Sequence, residues 1–345
     1  MNAVKRILVT GASGFIGSYI VEKALDENFE VWVAIRSTSS LRYLTDQRIH
    51  FLDLDFSDEK KLTDSLSSCK EFCPQGWDYI VHAAGITKGK SDNDFIQVNY
   101  EGTKRLVHSL RNNHLLPKRF VYLSSLSVLG SIRQEREKTG GYVYAEMKEQ
   151  DIACPNTAYG KSKLMAEDYL VAQNDLDVVI LRPTGVYGPR EKDYFLMVKS
   201  IANHVDFSAG FYPQEITFVY VKDLVDAVFI VMDKGERNRK YFVSDGRTYS
   251  SRDFSDLIQK EMGVSFVVHI IAPLLVLKLV CTLGSWMAKL TGRMTALNKD
   301  KYHILKQRNW RCDISPIEQL GYCPKYDLAK GTKETVAWYQ REKWI

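Results

Sequence analysis

The sequence predicts an α/β fold in which a parallel sheet is covered by helices on both faces. Through the first half of the chain, apolar runs of strand length alternate with segments of helical periodicity. These runs are apolar almost throughout, as in strands that are buried on both faces, and a glycine-rich turn follows the first of them. Together these observations indicate repeated strand–helix–strand units and therefore a doubly wound parallel sheet.

The predicted elements of the first half follow one another in the order of a Rossmann-like domain. The first strand is predicted at Ile7–Thr10 and the first helix at Phe15–Asp26. Further strands are predicted at Val31–Ile35, His50–Leu54, Tyr79–Ala84, Phe120–Ser125 and Val178–Pro183. Residues 1–182 are accordingly expected to form an NAD(P)-binding Rossmann-like domain.

The pattern changes in the second half of the chain. Residues 218–233 predict a short strand and a helix, and residues 241–262 predict a second such pair. We expect residues 183–345 to form mainly a smaller α/β lobe that binds the substrate. Segments near 216–250 should return to the first domain, so that the two lobes interleave along the chain.

Composition narrows the function classes. The chain has 345 residues and a formal net charge of +5, without a basic run interleaved with aromatic residues, so no nucleic-acid partner is expected. Its six cysteines show no CxxC or Cys/His spacing, so we expect neither a metal site nor disulfides. A strand and a glycine turn occupy the first 14 residues, which predicts a cytoplasmic protein without a signal peptide.

One apolar stretch, residues 267–290, has three open interpretations. A membrane span is not expected, because the stretch is interrupted by His269, Pro273, Lys278, Gly284 and Lys289. The segment is instead interpreted as a helix packed on the core, a helix lining an apolar pocket, or an amphipathic helix lying on the surface.

The glycine-rich turn, TGASGFIG at residues 10–17, lies between the first predicted strand and helix. Glycines permit the tight turn and let the backbone approach a pyrophosphate, while the helix N-terminus presents free N–H groups to the anion. The turn therefore predicts a dinucleotide site. Its expected contacts are Gly11, Ser13, Gly14, Phe15, Ile16 and Gly17.

The end of the second predicted strand bears on the choice between NAD and NADP. An acid there would bind the ribose 2′-hydroxyl of NAD, whereas an arginine accommodates the 2′-phosphate of NADP. This chain has Arg36, followed by hydroxyl side chains at 37–40, and no acid. NADP(H) is therefore the favoured cofactor. NAD(H) is the alternative, in which Arg36 is a solvated surface residue.

A tyrosine and a lysine four residues apart, Tyr159 and Lys163, share one face of a predicted helix. The ammonium and the positive helix N-terminus should both favour the phenolate of Tyr159, because a phenol ordinarily has a pKa of about 10. Ser125, at the end of a predicted strand, would hydrogen-bond the reacting oxygen. Ser125, Tyr159 and Lys163 are therefore the predicted catalytic residues, with Tyr159 as the acid/base.

With these motifs the chain resembles the extended short-chain dehydrogenase/reductases, the superfamily of NAD(P)-dependent epimerases and dehydratases. Further matching segments span most of the chain, namely LDFSD (54–58), HAAG (82–85), VNYEGT (98–103), SSLSVLG (124–130) and LRPTGVYGP (181–189). The resemblance implies additional cofactor contacts from Asp55, Phe56, Ala83, Ala84, Gly85, Asn99, Tyr159, Lys163, Pro183, Thr184 and Val186. It also implies a homodimer formed through helices that include the Tyr159 helix.

Two reactions and one non-catalytic role stay open. The slightly favoured reaction is the reduction or oxidation of a small or apolar alcohol with NADP(H), which Arg36 and the apolar stretch support. The alternative is a nucleotide-sugar epimerase or dehydratase with retained NAD. The pyrophosphate of a sugar-nucleotide substrate would need cations from the second half of the chain, where the candidates are Arg190, Lys192, Lys199 and Arg247. The third is a non-catalytic nucleotide-binding protein, against which the complete catalytic set argues.

Several residues near these motifs have simpler structural interpretations. Asp58 and Asp223 are expected to cap helices, His82 to brace a strand end, and Ser124 to hydrogen-bond backbone. The charged segment 131–158 is expected to be a mobile loop near the cleft, either a lid or a solvated loop.

Overall fold

The computed structural model describes residues 4–138, 141–291 and 299–345. Within them the strands are, in chain order, β1 Arg6–Thr10, β2 Glu30–Ile35, β3 Ile49–Asp53, β4 Tyr79–His82, β5 Arg119–Leu123, β6 Gln134–Arg136, β7 Tyr142–Tyr144, β8 Val178–Pro183, β9 Gly185–Tyr187, β10 Val205–Ala209, β11 Phe218–Tyr220, β12 Lys240–Val243 and β13 Val268–Ala272. The helices are α1 Phe15–Asp26, α2 Glu59–Cys69, α3 Asp92–Phe95, α4 Gly102–Asn112, α5 Ala158–Val171, α6 Tyr194–Ala202, α7 Val221–Lys234, α8 Asp253–Met262, α9 Leu274–Thr291, α10 Lys299–Lys306, α11 Ser315–Glu318 and α12 Leu328–Arg341. A π-helical turn, Ile96–Glu101, joins α3 to α4.

Seven of these strands form one parallel sheet in the order β12-β8-β5-β4-β1-β2-β3. The chain winds outward from β1 to β3, returns to β4 on the other side of β1, and continues outward to β12. The order therefore reverses between β1 and β4. In sheets of this kind, ligands bind beside the carboxyl ends of the strands at that switch point. The predicted doubly wound, Rossmann-like sheet is confirmed.

Successive residues of the central strands contribute to two different cores. Ile7 and Val9 of β1 pack with α1 and α7 on one face of the sheet. Leu8 packs with α2, α4 and α5 on the other face. Because side chains alternate along a strand, both faces of this sheet must be apolar, which explains the unbroken apolar runs in the sequence.

A third core lies outside the main sheet and is rich in aromatic residues. It is formed by α6, α8 and α12 together with the two-stranded pair β9–β11. The rings of Tyr187, Phe218 and Phe254 meet edge to face with centroids 5.1 to 6.0 Å apart. From this region the chain continues to β12, which pairs with β8 in the main sheet. The division of the chain into two lobes stays a prediction.

The segment 131–158 was predicted to be a mobile loop near the cleft, but its described residues, 131–138 and 141–158, include two strands. Strands β6 and β7 pair in antiparallel register. Beyond them Met147 is fully buried, and its backbone hydrogen-bonds the backbone of Arg311 and Asp313 at 3.0 and 2.9 Å. The segment is therefore fastened to the C-terminal part of the chain by contacts that sequence spacing does not show. Its function as a lid stays a prediction.

The apolar stretch 267–290 forms strand β13, which pairs with β10, and then helix α9, whose side chains are described through Met287. Cys281 of α9 is buried, whereas most of the leucines and valines of this helix are exposed. Of the three interpretations, the surface-lying amphipathic helix fits this burial pattern best. No helix in the described ranges has the length and apolarity needed to cross a membrane.

The two expected aspartate caps have different outcomes. Asp58 does cap α2, because its carboxylate accepts the N–H of Lys61 at 3.1 Å. Asp223 lies in the first turn of α7 but accepts the N–H groups of Lys325 and Tyr326 at 3.0 and 2.9 Å. The expected capping role of Asp223 is therefore wrong. Its carboxylate fixes a distant backbone segment that sequence spacing could not identify.

Candidate active site

The predicted motif residues gather at the carboxyl edge of the sheet. Thr10 is the last residue of β1, His82 ends β4, Pro183 ends β8, and Ser125 follows β5 by two residues. Because these strands are parallel, the segments that leave them all lie at one edge. The glycine turn, the HAAG segment and Ser125 therefore surround the switch point between β1 and β4.

The glycine turn has the geometry of an anion-binding loop. Gly11 has a φ of +68°, and a Cβ at this residue would lie 2.7 Å from the backbone of Ala83, so only glycine fits. The first helical hydrogen bond of α1 runs from Ser18 to Gly14 at 3.1 Å. The N–H groups of residues 15–17 precede this bond and have no carbonyl acceptor within the helix. They are thus available to an anion, as the sequence predicts.

Asn99, in the π-helical turn, connects the segment after β4 to helix α5. Its side chain accepts the N–H of Ile86 at 2.8 Å and donates to the carbonyl of Ile86 and to Ser162 Oγ at 3.1 and 3.0 Å. A Cβ at Gly85 would lie 2.9 Å from Asn99 Oδ1 and 3.4 Å from Lys163 Nζ. The structure therefore brings Gly85, Asn99 and Lys163 together. π-Helical turns of this kind recur at functional sites.

Ser125 and Tyr159 meet at this edge. A hydrogen bond with Ser125 lowers the pKa of the Tyr159 phenol, but burial has the larger effect and raises this pKa to about 12. The sequence predicts the opposite direction, because the four-residue spacing places the Lys163 ammonium where it would favour the phenolate. That expectation is wrong for this structure. Lys163 Nζ donates instead to the carbonyl of Leu123 at 2.7 Å.

Lys163 is itself fully enclosed. Burial lowers the pKa of its ammonium to about 8, and the nearby Glu167 carboxylate opposes this shift. The ammonium also lies 4.7 Å from the ring centroid of Tyr122, a favourable position over an aromatic face. Lys163 can therefore gain or lose its proton close to neutral pH.

Glu167, one helical turn beyond Lys163, supports the site and was missed by the sequence analysis. It is fully buried, and its carboxylate accepts from Arg182 Nε at 3.0 Å, from Arg182 Nη2, and from Ser124 Oγ. The expectation that Ser124 bonds backbone is therefore wrong. The spacing of Lys163 and Glu167 on one helix face was the available signal. Arg182 lies on β8, and only the packing of α5 on the sheet brings it there.

The N-terminus of α5 receives a second supporting residue from the far end of the chain. Asp300, on α10, accepts the N–H groups of Ala158 and Tyr159 at 3.0 and 3.4 Å. The usual capping position is held by Thr157, whose hydroxyl accepts the N–H of Gly160 at 3.0 Å. A carboxylate at a helix N-terminus is stabilised by the free N–H groups and the dipole. Asp300 follows Tyr159 by 141 residues, so sequence spacing gives no signal for this contact.

Arg36 directly follows β2, and Asp55 lies two residues after the end of the neighbouring strand β3. The two side chains are close enough to interact. The pKa of Asp55 is lowered mainly by hydrogen bonds from Ser57, and Arg36 adds a smaller effect. Arg36 is exposed, and within the described ranges its guanidinium has no hydrogen-bond partner, so it is accessible to a ligand. Phe56, the predicted cofactor contact next to Asp55, packs its ring edge-on against His82 with centroids 6.0 Å apart.

His82 braces the end of β4, as expected. Its ring nitrogens lie 2.7 Å from Thr10 Oγ1 and 2.9 Å from Thr103 Oγ1. Burial, together with the charge of Lys163, lowers the pKa of His82 to about 3. A neutral, buried imidazole held by two hydroxyls has a structural role, which confirms the prediction.

The arrangement of these residues agrees with the family that the sequence matches. The model of the NAD dependent epimerase/dehydratase family matches residues 7–244. The chain belongs to this family. The resemblance to extended short-chain dehydrogenase/reductases that the motifs indicated is thereby confirmed, and this family member is an enzyme of that superfamily.

Similar proteins within the family act on different compounds. The chain is 27% identical to UDP-glucose 4-epimerase of Vibrio cholerae, over 96% of this chain and 94% of that protein. It is 22% identical to the decarboxylating sterol-4-alpha-carboxylate 3-dehydrogenase ERG26 of Candida albicans, over 99% of both. The structure of DesIV (dTDP-glucose 4,6-dehydratase) from Streptomyces venezuelae, with NAD and TYD bound, is similar in fold. Its TM-score is 0.76, at 24% identity over 98% of each chain.

The carboxyl edge in this family member fits a nicotinamide dinucleotide. Among the described residues, the hydroxyl Oγ1 of Thr184 is buried without a hydrogen-bond partner, between Pro183 at the end of β8 and Val186 of β9. A buried hydroxyl without a partner is unfavourable, so a bound group that supplies one fits this position. The free N–H groups of residues 15–17 fit a pyrophosphate in the same way.

Proposed function

We propose that this family member is a nucleotide-sugar epimerase or dehydratase that keeps NAD bound through its reaction cycle. The similarity to UDP-glucose 4-epimerase of Vibrio cholerae supports the substrate class, because it covers nearly the full length of both chains. The NAD in the DesIV structure supports the choice of cofactor. The observation that carries the proposal is a buried cation outside the main sheet.

This cation is Arg308, whose guanidinium has no carboxylate partner in the part of the chain that the structure describes. It is only 4% exposed, and its N–H groups donate to the backbone carbonyls of Ala209, Tyr212, Leu305 and Lys306. Burial lowers the pKa of the guanidinium, because the charged form loses its contact with water. Because a buried and unneutralised cation is unfavourable, we assign the substrate's diphosphate to it.

The backbone around Arg308 connects it to the candidate active site. The side chain of the adjacent Gln307 accepts a hydrogen bond from Ser131 at 3.3 Å, and Ser131 accepts one from Asn156 at 2.9 Å. Ser131 lies shortly after Ser125, and Asn156 lies just before the helix that carries Tyr159. A substrate held at Arg308 would therefore lie on the side of the molecule that carries the acid/base.

Two of the cations that the sequence analysis considered for this role are engaged elsewhere. Arg190 forms an ion pair with Glu22 and stacks on two tyrosine rings at 4.2 Å. Arg247 is paired with Asp327 at 3.1 Å. Arg308 replaces them in this proposal. The remaining candidates are Lys192 and Lys199, which stay predictions.

In the proposed reaction Tyr159 transfers the proton of the reacting hydroxyl, and Ser125 hydrogen-bonds the same oxygen. NAD supplies the acceptor and donor of hydride when it is bound. Since the pKa of Tyr159 is about 12, the phenol is protonated at neutral pH and is ready to act as an acid. Proton transfer in the other direction would require positive charge beside the phenolate, and Lys163 would have to leave the carbonyl of Leu123 to supply it.

The first test is turnover of UDP- and dTDP-hexoses by purified protein without added cofactor, with chromatographic separation of epimers and dehydrated sugars. The wild type should convert at least one of them. Tyr159→Phe should lower turnover by about 10²- to 10⁴-fold while the bound nucleotide and the thermal stability are retained. Unchanged turnover in this variant would contradict the assignment of Tyr159.

The substrate assignment is tested by Arg308→Gln. This variant should weaken binding of UDP or dTDP about tenfold or more, because a charge-assisted hydrogen bond is lost. Arg311→Gln is the matched control, since Arg311 is already ion-paired with Glu146 and Glu215. Equal effects of the two variants on nucleotide affinity would show that Arg308 has no special role.

A second candidate function is net oxidation or reduction of an apolar alcohol, for which the similarity to the sterol dehydrogenase of Candida albicans and the exposed helix α9 provide support. In that case NADH or NADPH would accumulate or disappear during turnover. The accessible guanidinium of Arg36 supports the NADP(H) preference predicted from the sequence, and Arg36→Ala should then selectively weaken NADPH binding.

The homodimer, the substrate-binding role of residues 183–345 and the cytoplasmic location also stay predictions.

A further inference from the structure

Helix α9 presents its apolar side chains to solvent. Its exposed apolar residues recur at intervals of three or four and form one face, here called the α9 stripe, namely Leu275, Val276, Leu279, Val280, Leu283 and Trp286. These side chains are between 41% and 83% exposed, whereas Cys281, on the opposite face, is buried. A helix on the surface of a globular protein ordinarily has its apolar face inward. In α9 this pattern is inverted.

The strand pair β10–β13 extends the apolar surface. Phe207 of β10 and Ile270 of β13 are opposite each other in the parallel register, and both are exposed. Val268, two residues before Ile270 and hence on the same face, is exposed as well. Parallel strands are ordinarily covered on both faces. Only Pro273 separates β13 from α9, so the uncovered strand and the stripe follow each other directly along the chain.

The same part of the chain carries the entire net charge of the protein. Residues 267–306 contain six of the 47 lysines and arginines and one of the 42 acids, which leaves 41 of each in the rest of the chain. The one acid is Asp300, and its carboxylate is directed at the N–H groups that begin α5. The exposed Lys278 lies between the residues of the stripe in sequence. Of these six cations, Lys278, Lys299 and Lys306 lie among the described side chains and are exposed, so the segment with the apolar surface also presents positive charge to solvent.

We propose that the α9 stripe and the exposed face of β10–β13 bind the surface of a membrane that contains anionic phospholipid. The helix would lie in the plane of the interface, with its apolar side chains among the upper acyl chains. The exposed side chains of Lys278, Lys299 and Lys306 would extend to the phosphate headgroups. A second copy of this chain is a poorer occupant, because its own stripe would bring an equally positive segment to the contact.

Helix α9, which carries the stripe, is connected to the candidate active site through α10. The backbone N–H of Lys299, at the start of α10, donates to Ser285 Oγ of α9 at 3.0 Å. The next residue, Asp300, binds the N-terminus of the helix that carries Tyr159. Helix α9, through α10, is therefore in contact with the helix that carries Tyr159. The membrane proposal itself depends only on the surface, and it holds for either of the two candidate reactions.

The test is flotation of the full-length protein with vesicles of phosphatidylcholine containing about one third phosphatidylglycerol. The wild type should float with these vesicles, and less with pure phosphatidylcholine or at high salt. Replacing Leu275, Leu279 and Leu283 together by Gln should lower the partition coefficient by about a hundredfold or more, because three buried leucines are lost. The triple variant should keep its melting temperature, since all three side chains are exposed in the protein.

The matched control replaces Phe72 and Ile152 by Gln, because these residues are 75% and 88% exposed but lie outside the surface. The control should float like the wild type. Failure of the wild type to float, or equal flotation of the triple variant, would overturn the proposal. Sedimentation of the same proteins without vesicles provides a second criterion. A wild-type dimer that the triple variant converts to monomer, without any vesicle binding, would assign the surface to contact between copies and also overturn it.

Discussion

Helices α5 and α9 depart from the usual pattern of a surface helix in opposite ways. Helix α5 buries polar and charged side chains, namely Ser162, Lys163 and Glu167. Helix α9 exposes leucines and a tryptophan. Each buried polar group of α5 has a defined partner within the protein, whereas the outward side chains of α9 have solvent around them. Departures from the usual arrangement of apolar side chains inside and polar side chains outside are expected at functional sites. The two helices therefore point to two different ligands.

The unusual side chains of the two helices also contribute differently to the stability of the fold. The buried ion pair of Glu167 and Arg182 is enclosed by protein, so each charge depends on the other for its stability. The outward leucines of α9 contribute little to folding, because they leave water only when something covers them. Substitutions in α5 should therefore affect the folded state itself, and substitutions in the α9 stripe should affect binding.

The largest effect on stability is expected for Glu167→Gln. This change leaves the Arg182 guanidinium buried without a counter-charge, which should lower the free energy of unfolding by roughly 3–5 kcal/mol. Urea denaturation measures it. Asp168→Asn, at an exposed position of the same helix, is the control and should change the free energy by less than about 0.5 kcal/mol. A loss as small as that of the control would remove the distinction between the two helices.

A somewhat smaller effect on the free energy of unfolding is expected for Lys163. It should appear as a pH dependence of stability that Lys163→Met abolishes. Burial lowers the pKa of Lys163 from 10.5 to about 8, so between these values the unfolded chain binds a proton that the folded protein has lost. Stability should therefore rise with pH across this window. The gain should be about 3.5 kcal/mol at most, since the two pKa values differ by about 2.5 and each pKa unit corresponds to about 1.4 kcal/mol. The variant should lack this rise, and an identical dependence in both proteins would contradict the buried ammonium.

A loss of about 1 kcal/mol is expected for Asp300→Asn, because the charge of the carboxylate at the N-terminus of α5 is removed. Thermal and urea unfolding measure it at neutral pH. Asp256→Asn, which breaks only the exposed pair with Arg252, should have a smaller effect. Equal effects would mean that the contact between α10 and α5 contributes nothing specific.

The smallest effect should come from Leu279→Gln in the α9 stripe. This side chain is exposed, so its replacement should change the free energy of unfolding by less than about 0.5 kcal/mol. In contrast, Leu106→Ala, at a fully buried position of α4, should cost about 2–5 kcal/mol. If Leu279→Gln destabilised the protein as strongly as Leu106→Ala, the stripe would be part of the folded core.

The sequence predicted what short spacing and periodicity encode. The first helix was predicted and is found at Phe15–Asp26, because a strand, a glycine turn and a helical pattern follow one another without interruption. Tyr159 and Lys163 were likewise recognised from one helical turn of sequence. The contacts that escaped prediction join residues that are distant in the chain. Arg182 reaches Glu167 across the α5–sheet interface, and Asp300 reaches α5 from 141 residues away.

The effect of burial on side-chain pKa values also could not be predicted from the sequence. Spacing placed Lys163 beside Tyr159, from which a lowered phenol pKa was expected. The structure buries Lys163 and partly buries Tyr159, so desolvation raises the pKa of the phenol and lowers that of the ammonium. Likewise, composition identified residues 267–290 as apolar but could not decide which face of the resulting helix is covered.

The proposed function is tested most directly by denaturing freshly purified protein and identifying the released nucleotide by chromatography. A nucleotide-sugar epimerase or dehydratase that restores its cofactor within each cycle should release close to one equivalent of NAD. A site without nucleotide that takes up NADPH in preference to NADH would contradict the proposal. That result would instead support an oxidoreductase with an exchanging cofactor, selected by Arg36 as the sequence first indicated.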